Sequence, residues 1–243
     1  MHCKYSDSDS PDQLTLLLAI SDANYRFIYA DICTLNRHND QSLVVHSKLR
    51  DCLANNTLGI PSPAVIHEQE MPYFLAGNES FSLEEWLMTP YPTADSIAEE
   101  VYNYRLNRCR RVIDNAFGVL AARWRIFSRP IRADATTTDL IIRACIGLHN
   151  FLISTENGSY IPLGFVDSES PDGLTEGEWR HEVKNDTQPA MTCPAYQVNN
   201  TECSVASRLA RKTLTDYVNS DEGSHKRPWQ LEWVQVKGEL QDS

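Results

Sequence analysis

The chain has 243 residues, of which 42% are hydrophobic, and its formal net charge is −11 at pH 7. This length and apolar content suffice for one ordinary domain with tails or for two small domains, and they exclude a chain that is disordered throughout. The negative charge disfavours nucleic acid as a partner of the whole surface. The longest apolar run, residues 14–20, is far shorter than the roughly 18–20 residues that span a bilayer, so no membrane partner is expected.

Cysteine usage and the N-terminal sequence indicate a compartment. The 7 cysteines are scattered, odd in number and free of any CxxC pair, which favours free thiols over disulfides or a zinc site. No charged segment followed by an apolar run and a small-residue cleavage site is present, so no signal peptide is expected. A reducing compartment, nucleus or cytoplasm, is the prediction.

The N-terminal half alternates between polar segments and short apolar runs. Residues 1–13 are polar and are predicted to be a disordered tail. Two β-type runs separated by Asp22, Ala23 and Asn24 predict a hairpin with strands near 14–21 and 25–32. The apolar spacing over 41–55 predicts a short amphipathic helix, and the run at 73–76 predicts a short buried strand.

The middle of the chain is helical by its periodicity. One broad apolar stripe runs from residue 97 to residue 127, with Thr93 as a candidate cap and Pro130 as the stop. Gly118 lies inside this helix and marks either close packing or a kink. A second apolar stripe predicts a helix over about 137–154.

The C-terminal third changes character. Residues 154–203 are rich in Gly, Ser, Pro and acidic residues without periodicity and are predicted to be a disordered linker. A C-terminal helix (about 204–219) with an aromatic tail is predicted within residues 204–235, followed by a tail over 236–243.

Four blocks of sequence occur in the order found in one known family. They are SDANYRFIYADI at 21–32, MTPYP at 88–92, the long string YNYRLNRCRRVIDNAFGVLAARWRIFSRPI at 102–131 with LHNFL at 148–152, and TLTDYVNSDEGS at 213–224 with WQ at 229–230. Together they resemble the PIF/Harbinger transposase-derived nucleases of the DDE superfamily. The resemblance implies an α/β, RNase H-like fold over residues 14–153, with the first central strand of its mixed sheet missing and the sheet packed against long helices.

The resemblance also implies a metal site. In this family three carboxylates hold two divalent ions, Mg²⁺ or Mn²⁺, which assist in-line cleavage of a DNA phosphodiester. The first carboxylate belongs to an Asp-Gly-Thr-His-like motif, which does not occur upstream of Leu14. The second maps onto Asn78, a neutral amide, with Glu79 beside it. The third maps onto Asp114, one methylene shorter than the glutamate of the family.

Each of these acids also has a simpler interpretation. Asp114 could instead form an ion pair with Arg110 or Arg111, one helical turn back. Asp22, Asp31 and Asp40 could line a residual cation site near the hairpin, although turn chemistry accounts for Asp22 and a strand end for Asp31. His149 in LHNFL is interpreted as a hydrogen-bonded packing residue, since no second histidine lies at a metal-like spacing.

The acidic chain contains one basic segment. Residues 101–132 carry eight arginines and one acid, and five of the arginines are predicted to contact DNA: Arg105, Arg108, Arg111, Arg123 and Arg125. The planar guanidinium suits phosphate oxygens. The alternative is a solvated helix face that complements the acidic remainder of the chain.

Three functions remain open at this point. The chain is a DDE nuclease-family protein whose metal-dependent DNA cleavage is lost or severely impaired, a non-catalytic module that contacts DNA or a protein partner, or a non-functional remnant of a transposable element.

Overall fold

The computed structural model describes residues 2–4, 14–35, 48–53, 55, 57–66, 69–170, 173–184, 191–192 and 203–224. The chain divides into two compact units, each formed from two segments. The first comprises Met1–Leu58 and Arg111–Pro194, and the second comprises Gly59–Arg110 and Ala195–Ser243. No helix among the described residues has the length and apolar content to cross a membrane.

A four-stranded antiparallel sheet belongs to the first unit. Its order is β10 (Met191–Thr192), β1 (His2–Lys4), β2 (Leu14–Ser21) and β3 (Phe27–Leu35). The predicted hairpin is confirmed as β2 and β3, with a register shift at Ile20/Ser21. The predicted disordered tail at 1–13 is wrong for residues 2–4. These residues form strand β1, which pairs antiparallel with β2.

Helices supply the rest of the first unit. Helix α1 spans residues 48–53. Of the rest of the helix predicted at 41–55, residue 55 lies in a turn, and residues 41–47 and 54 lie outside the described residues. Helix α2 (Ile97–Arg123) has residues assigned to each unit, and after Arg123 the backbone leaves helical geometry at Trp124 before a 3₁₀ turn at Arg125–Ser128. Helix α3 (Ala135–Tyr160) is interrupted at Glu156, where φ is −135° and ψ is 37°, so its part before this kink agrees with the predicted helix over about 137–154.

The predicted disordered linker at 154–203 is wrong for most of its first half. The segment contains the end of α3, the hairpin β8 (Ser168–Ser170) and β9 (Gly173–Thr175), and helix α4 (Trp179–Lys184). Periodicity could not reveal it because a few buried anchors at irregular spacing hold it in place. Phe165 is 1% exposed and Asp167 is 7% exposed.

The apolar core of the first unit lies between the sheet and α2 and α3. Leu17 of β2 and Phe27 of β3 pack with residues of both helices, among which Leu120 and Ile142 are fully buried. Burial of such side chains, roughly 1.5–3 kcal/mol each, is what holds a short sheet against two helices.

The second unit is built from short strands and one capped helix. Strands β4 (Ala64–Ile66) and β5 (Gln69–Met71) form a hairpin, and β6 (Leu75–Ala76) pairs in parallel with β7 (Leu87–Met88). The predicted C-terminal helix is confirmed as α5 (Val205–Asn219), followed by α6 (Asp221–Ser224). The Ser204 hydroxyl caps α5 by accepting the Ser207 amide at 3.0 Å.

Two adjacent polar residues of α3 clamp the hairpin to the helix. The Asn150 side chain accepts from the Phe27 amide at 2.9 Å and donates to the Phe27 carbonyl at 2.8 Å. His149 is fully buried and spans from the Tyr25 carbonyl to the Tyr160 hydroxyl, both at 2.9 Å. Burial lowers the pKa of His149, so the ring is neutral, and a carbonyl can only accept. Nε2 therefore donates to Tyr25, and Nδ1 accepts from Tyr160.

The clamp predicts the effect of a single substitution. Asn150→Ala leaves the amide and carbonyl of Phe27 without their partner, which is expected to lower the free energy of unfolding by about 2 kcal/mol. Urea unfolding followed by circular dichroism measures the change. Ser154→Ala is the control, because it removes an exposed local bond to the Asn150 carbonyl and is expected to cost less than about 0.5 kcal/mol. Equal losses in the two variants would contradict the clamp.

Candidate functional site

The acids near the hairpin are used by the local structure. One carboxylate oxygen of Asp22 accepts the amides of Asn24 at 2.8 Å and Arg26 at 3.0 Å, which closes the turn between β2 and β3. Asp31 is buried and accepts from Lys48 at 3.3 Å. Burial, together with the Asp31 charge, raises the pKa of the neighbouring Tyr29 to about 12. Asp40 lies outside the described residues.

Asn78 follows β6 in the second unit, at the strand end where the resemblance places the second carboxylate. Its side-chain oxygen accepts the Ser80 amide at 3.1 Å, and its carbonyl accepts the Phe81 amide at 3.2 Å. The amide side chain therefore closes its own turn, as Asn commonly does. Glu79 beside it is exposed.

Asp114 lies in the first unit, half-buried on α2, and its surroundings are rich in arginine. Its charge contributes to raising the pKa of Arg180, after the larger effects of the hydrogen bond from Arg180 to Asp167 and of the Asp167 and Glu176 charges. Arg111, one turn earlier on α2, lies 3.9 Å from the carboxylate of Glu169. We call these residues the carboxylate–arginine network: Arg111, Asp114, Asp167, Glu169 and Arg180.

The ion pair between Asp167 and Arg180 is the tightest contact of the carboxylate–arginine network. The Asp167 side chain is 0% exposed, and it accepts Arg180 Nε at 2.8 Å, Arg180 Nη2 at 2.5 Å and the Gly177 amide at 2.8 Å. Burial alone would raise the pKa of Asp167. The bonds from Arg180 and Gly177, with the charges of Arg180 and Arg111, outweigh burial and lower that pKa. The carboxylate therefore stays ionised inside the fold.

A tryptophan and a glycine bring this ion pair close to Asp114. The Trp179 indole donates to the Asn115 side chain at 2.9 Å, and the Asp167 amide donates to the same oxygen at 3.1 Å. A Cβ added to Gly118 would lie 2.3 Å from the Trp179 ring, so only glycine allows the indole to reach α2. This finding selects close packing, the first of the two interpretations of Gly118.

The predicted DNA-contacting arginines divide into internal and surface groups. Arg105 donates to the Gly223 carbonyl at 2.8 Å within the second unit. Arg123 donates to the Tyr160 carbonyl through Nε and Nη2 and stacks 4.0 Å above the Phe165 ring. Arg125 is exposed and makes a 3.4 Å contact with the Glu182 carbonyl. Arg111 belongs to the carboxylate–arginine network, and Arg108 of the second unit is half-buried.

Two surface arginines were not among the predicted five. Arg129 and Arg132 are exposed, and with Arg125 they place three exposed cations within eight residues of the first unit. The apolar stripe in the sequence could have indicated that the end of α2 is buried. Arginines that follow a buried helix end are then better candidates for a surface contact, and this signal would have selected Arg129 and Arg132.

The candidate residues do not supply the donor set that two divalent ions require. Among the described residues, no group of three or more His, Cys, Asp or Glu side chains could hold a metal ion. Asn78 brings no charge and is bonded within its turn, and Asp114 shares its surroundings with Arg180. The fit of these residues to Mg²⁺ or Mn²⁺ is poor, since hard cations need clustered negative oxygens.

Comparison with known proteins places more than half of the chain within one family. A family model described as "DDE superfamily endonuclease" matches residues 5–150. "Putative nuclease HARBI1" from Bos taurus is 33% identical over 115 residues, which is 45% of this chain and 32% of that protein. "Protein ALP1-like" from Arabidopsis thaliana is 32% identical over 92 residues, 36% of this chain and 22% of that protein.

The mouse protein with the HARBI1 name is 31% identical over 136 residues, 53% of this chain and 38% of its own length. This chain thus spans about a third of the length of the curated relatives it matches. No solved structure matches the chain.

The Asp167–Arg180 pair predicts a large and specific loss of stability. Arg180→Met leaves a fully buried carboxylate without its main partner, which is expected to lower the free energy of unfolding by about 3 kcal/mol. Arg143→Met is the matched control, because its partner Asp139 lies four residues away on an exposed helix face and such a pair contributes less than about 0.5 kcal/mol. Chemical unfolding measures both, and a loss in Arg180→Met as small as in the control would show that the pair is not structural.

Proposed function

The chain belongs to the Harbinger-derived DDE superfamily endonuclease family, and from this premise we propose that it is a member in which metal-dependent cleavage of DNA is lost or severely impaired. The family chemistry needs divalent ions held by carboxylates, because the ions activate the attacking oxygen and stabilise the leaving oxygen. The residues at two of the family's carboxylate positions, Asn78 and Asp114, both lie in the part of the chain that the structure describes.

The observation that carries this proposal is the position of Arg180. Its guanidinium lies within electrostatic range of Asp114 while it is bonded to Asp167. Arg180 therefore adds positive charge to the surroundings of Asp114, where a site for divalent ions needs clustered negative oxygens.

Two further features support the same conclusion. Asn78 offers a neutral oxygen that already accepts the Ser80 amide, so a metal would have to displace that bond without gaining a charge. Asp114 is one methylene shorter than the family glutamate, and oxygen–Mg²⁺ bonds near 2.1 Å tolerate little loss of reach. Each change weakens ion binding separately, and together they leave the family chemistry without its ligands.

A plasmid-nicking assay tests the loss of cleavage. Full-length chain incubated with supercoiled plasmid and Mg²⁺ or Mn²⁺ is expected to nick DNA no faster than Asp114→Ala protein prepared in the same way. The matched preparation matters because a contaminating nuclease would act equally in both samples. Metal-dependent nicking that is present in the unaltered chain and absent in Asp114→Ala would overturn the proposal.

A second candidate function is DNA contact without cleavage. The observation that favours it is the exposed cluster of Arg125, Arg129 and Arg132, since surface arginines bind phosphate oxygens and release counterions. The internal bonds of Arg105 and Arg123 leave fewer of the five predicted arginines available for this role. The net charge of −11 restricts such contact to a local surface.

Charge reversal tests the DNA contact. The double variant Arg129→Glu/Arg132→Glu is expected to bind duplex DNA more weakly at every salt concentration and to lower the slope of log affinity against log salt by about two, one for each phosphate that is no longer bound by an arginine. Arg208→Glu/Lys212→Glu, a reversal of two exposed cations on α5, is the control because it changes the net charge by the same amount. The DNA contact is rejected if the unaltered chain is not retained on DNA at low salt, or if the control weakens binding as much as the double variant.

A further inference from the structure

Two adjacent aromatic side chains are exposed in the second unit, where the sequence predicted a buried strand. Of the apolar run at 73–76, only Leu75–Ala76 form β6. Tyr73 is 49% exposed and Phe74 is 37% exposed. Because covering one aromatic side chain removes about 150–250 Å² from water, two neighbouring rings give this unit an aromatic surface that a ligand can cover.

The hairpin of β4 and β5 extends the exposed aromatic segment. Val65 lies directly opposite Glu70 in this hairpin, and directly opposed residues of antiparallel strands point to the same face of the sheet. Val65 is 73% exposed and Glu70 is also exposed, whereas Met71 on the other face is buried in the core of the second unit. The outer face of the hairpin therefore presents an apolar side chain beside a carboxylate, shortly before Tyr73 in the chain.

A tight turn before β7 brings a second carboxylate to the aromatic segment. The Leu75 amide donates to the Trp86 carbonyl at 2.8 Å, which places Phe74 beside this turn. Glu85 precedes Trp86 in the turn and is exposed. We call the following residues the acidic–aromatic surface: Val65, Glu70, Tyr73, Phe74 and Glu85.

The charge of this part of the chain has one sign. Residues 59–104, all of the second unit, contain eight acidic residues and no lysine or arginine. Two arginines elsewhere in the unit contact its own groups, since Arg105 donates to the Gly223 carbonyl and Arg211 stacks 3.9 Å from the centroid of the Tyr91 ring. The acidic–aromatic surface therefore attracts cationic ligands and repels phosphate groups.

We propose that the acidic–aromatic surface binds a short segment of a protein partner that is rich in arginine and lysine. A guanidinium or ammonium group is attracted to the face of an aromatic ring, here Tyr73 or Phe74, and to the carboxylates of Glu70 and Glu85. The aliphatic stem of such a side chain covers apolar surface while its charged head stays in water. A free metal ion would leave the rings and Val65 uncovered, so a cationic side chain fits the surface better.

The size of the acidic–aromatic surface determines the kind of partner. Three apolar side chains with these exposures offer on the order of a few hundred Å². A stable interface with a folded partner needs about 800 Å² on each side. The surface therefore fits a few residues of an extended segment, and because exposed charges carry part of the attraction, the binding is weak and decreases as salt is added.

Fluorescence anisotropy with a labelled peptide tests the binding. The full chain is expected to bind a short peptide of alternating arginine and alanine, and not the matched peptide that has glutamate in place of arginine. Tyr73→Ala is expected to weaken the binding about two- to fivefold, as the loss of one exposed cation–ring contact does. Tyr73→Phe is the matched control, because it keeps the ring and should bind like the unaltered chain. Circular dichroism should show all three proteins equally folded, since Tyr73 is half exposed.

Removal of the carboxylate charges tests the electrostatic part. Glu70→Gln/Glu85→Gln is expected to weaken peptide binding about fivefold and to reduce its dependence on salt. Glu156→Gln/Glu182→Gln removes two exposed acids of the first unit and should leave the binding unchanged.

Three results would overturn the proposal: no binding of the arginine peptide at low salt, equal binding by Tyr73→Ala and Tyr73→Phe, or equal binding by the two glutamine variants. Light scattering adds a fourth. Self-association of the full chain that Tyr73→Ala abolishes would identify a second copy of the chain as the occupant of the surface, in place of a cationic segment.

Discussion

A buried carboxylate held by a single guanidinium determines how the region around Asp114 is built. Asp167 has no exposed side-chain surface, so its charge is tolerated only because Arg180 and the Gly177 amide bind it. The same contact fixes α4 beside α2 and directs the Trp179 ring onto Gly118. This pair, together with the stacking of the Arg180 guanidinium 4.4 Å from the centroid of the Trp179 ring, holds a cation near the position that corresponds to the family's third metal ligand.

The proposed loss of cleavage implies an exchange of one kind of charge compensation for another. In the family chemistry implied by the resemblance, divalent ions offset the charge of the clustered carboxylates. In this chain, arginines compensate two carboxylates that lie outside the residues matched by the family model, with Arg180 on Asp167 and Arg111 near Glu169. Guanidinium is monovalent, planar and fixed to the chain, and it cannot polarise a phosphodiester in the way that two closely spaced ions can. The described structure around Asp114 is therefore held in part by contacts between arginines and carboxylates.

Sequence reasoning succeeded where one local rule determines the structure. The turn chemistry of Asp22 gave the hairpin, and helical periodicity gave α2, α3 and α5 with small errors at their ends. The apolar run at 73–76 gave the position of β6, which Asn78 follows, although the strand is shorter than that run. The hydrogen-bonded packing role expected for His149 is confirmed by its two buried partners.

It failed where long-range contacts determine the structure. Asp167 and Trp179 meet Asn115 across 52 and 64 residues of sequence, and no periodicity connects them. Phe165 and Trp179, two large aromatic residues in a polar segment, were the available signal that residues 161–184 pack on a core. The three-residue strand His2–Lys4 carries too few residues for a pattern, so only its pairing with β2 reveals it.

Direct counting of bound Mn²⁺ tests most closely whether arginine has taken the place of the metal. Electron paramagnetic resonance reports free Mn²⁺, so a titration of the full chain gives the number of ions bound at roughly millimolar concentration, where a Mg²⁺-type site of clustered carboxylates would fill. We predict that the unaltered chain and Asp114→Asn bind the same small, non-specific amount. Two ions bound per chain, both absent in Asp114→Asn, would contradict the account.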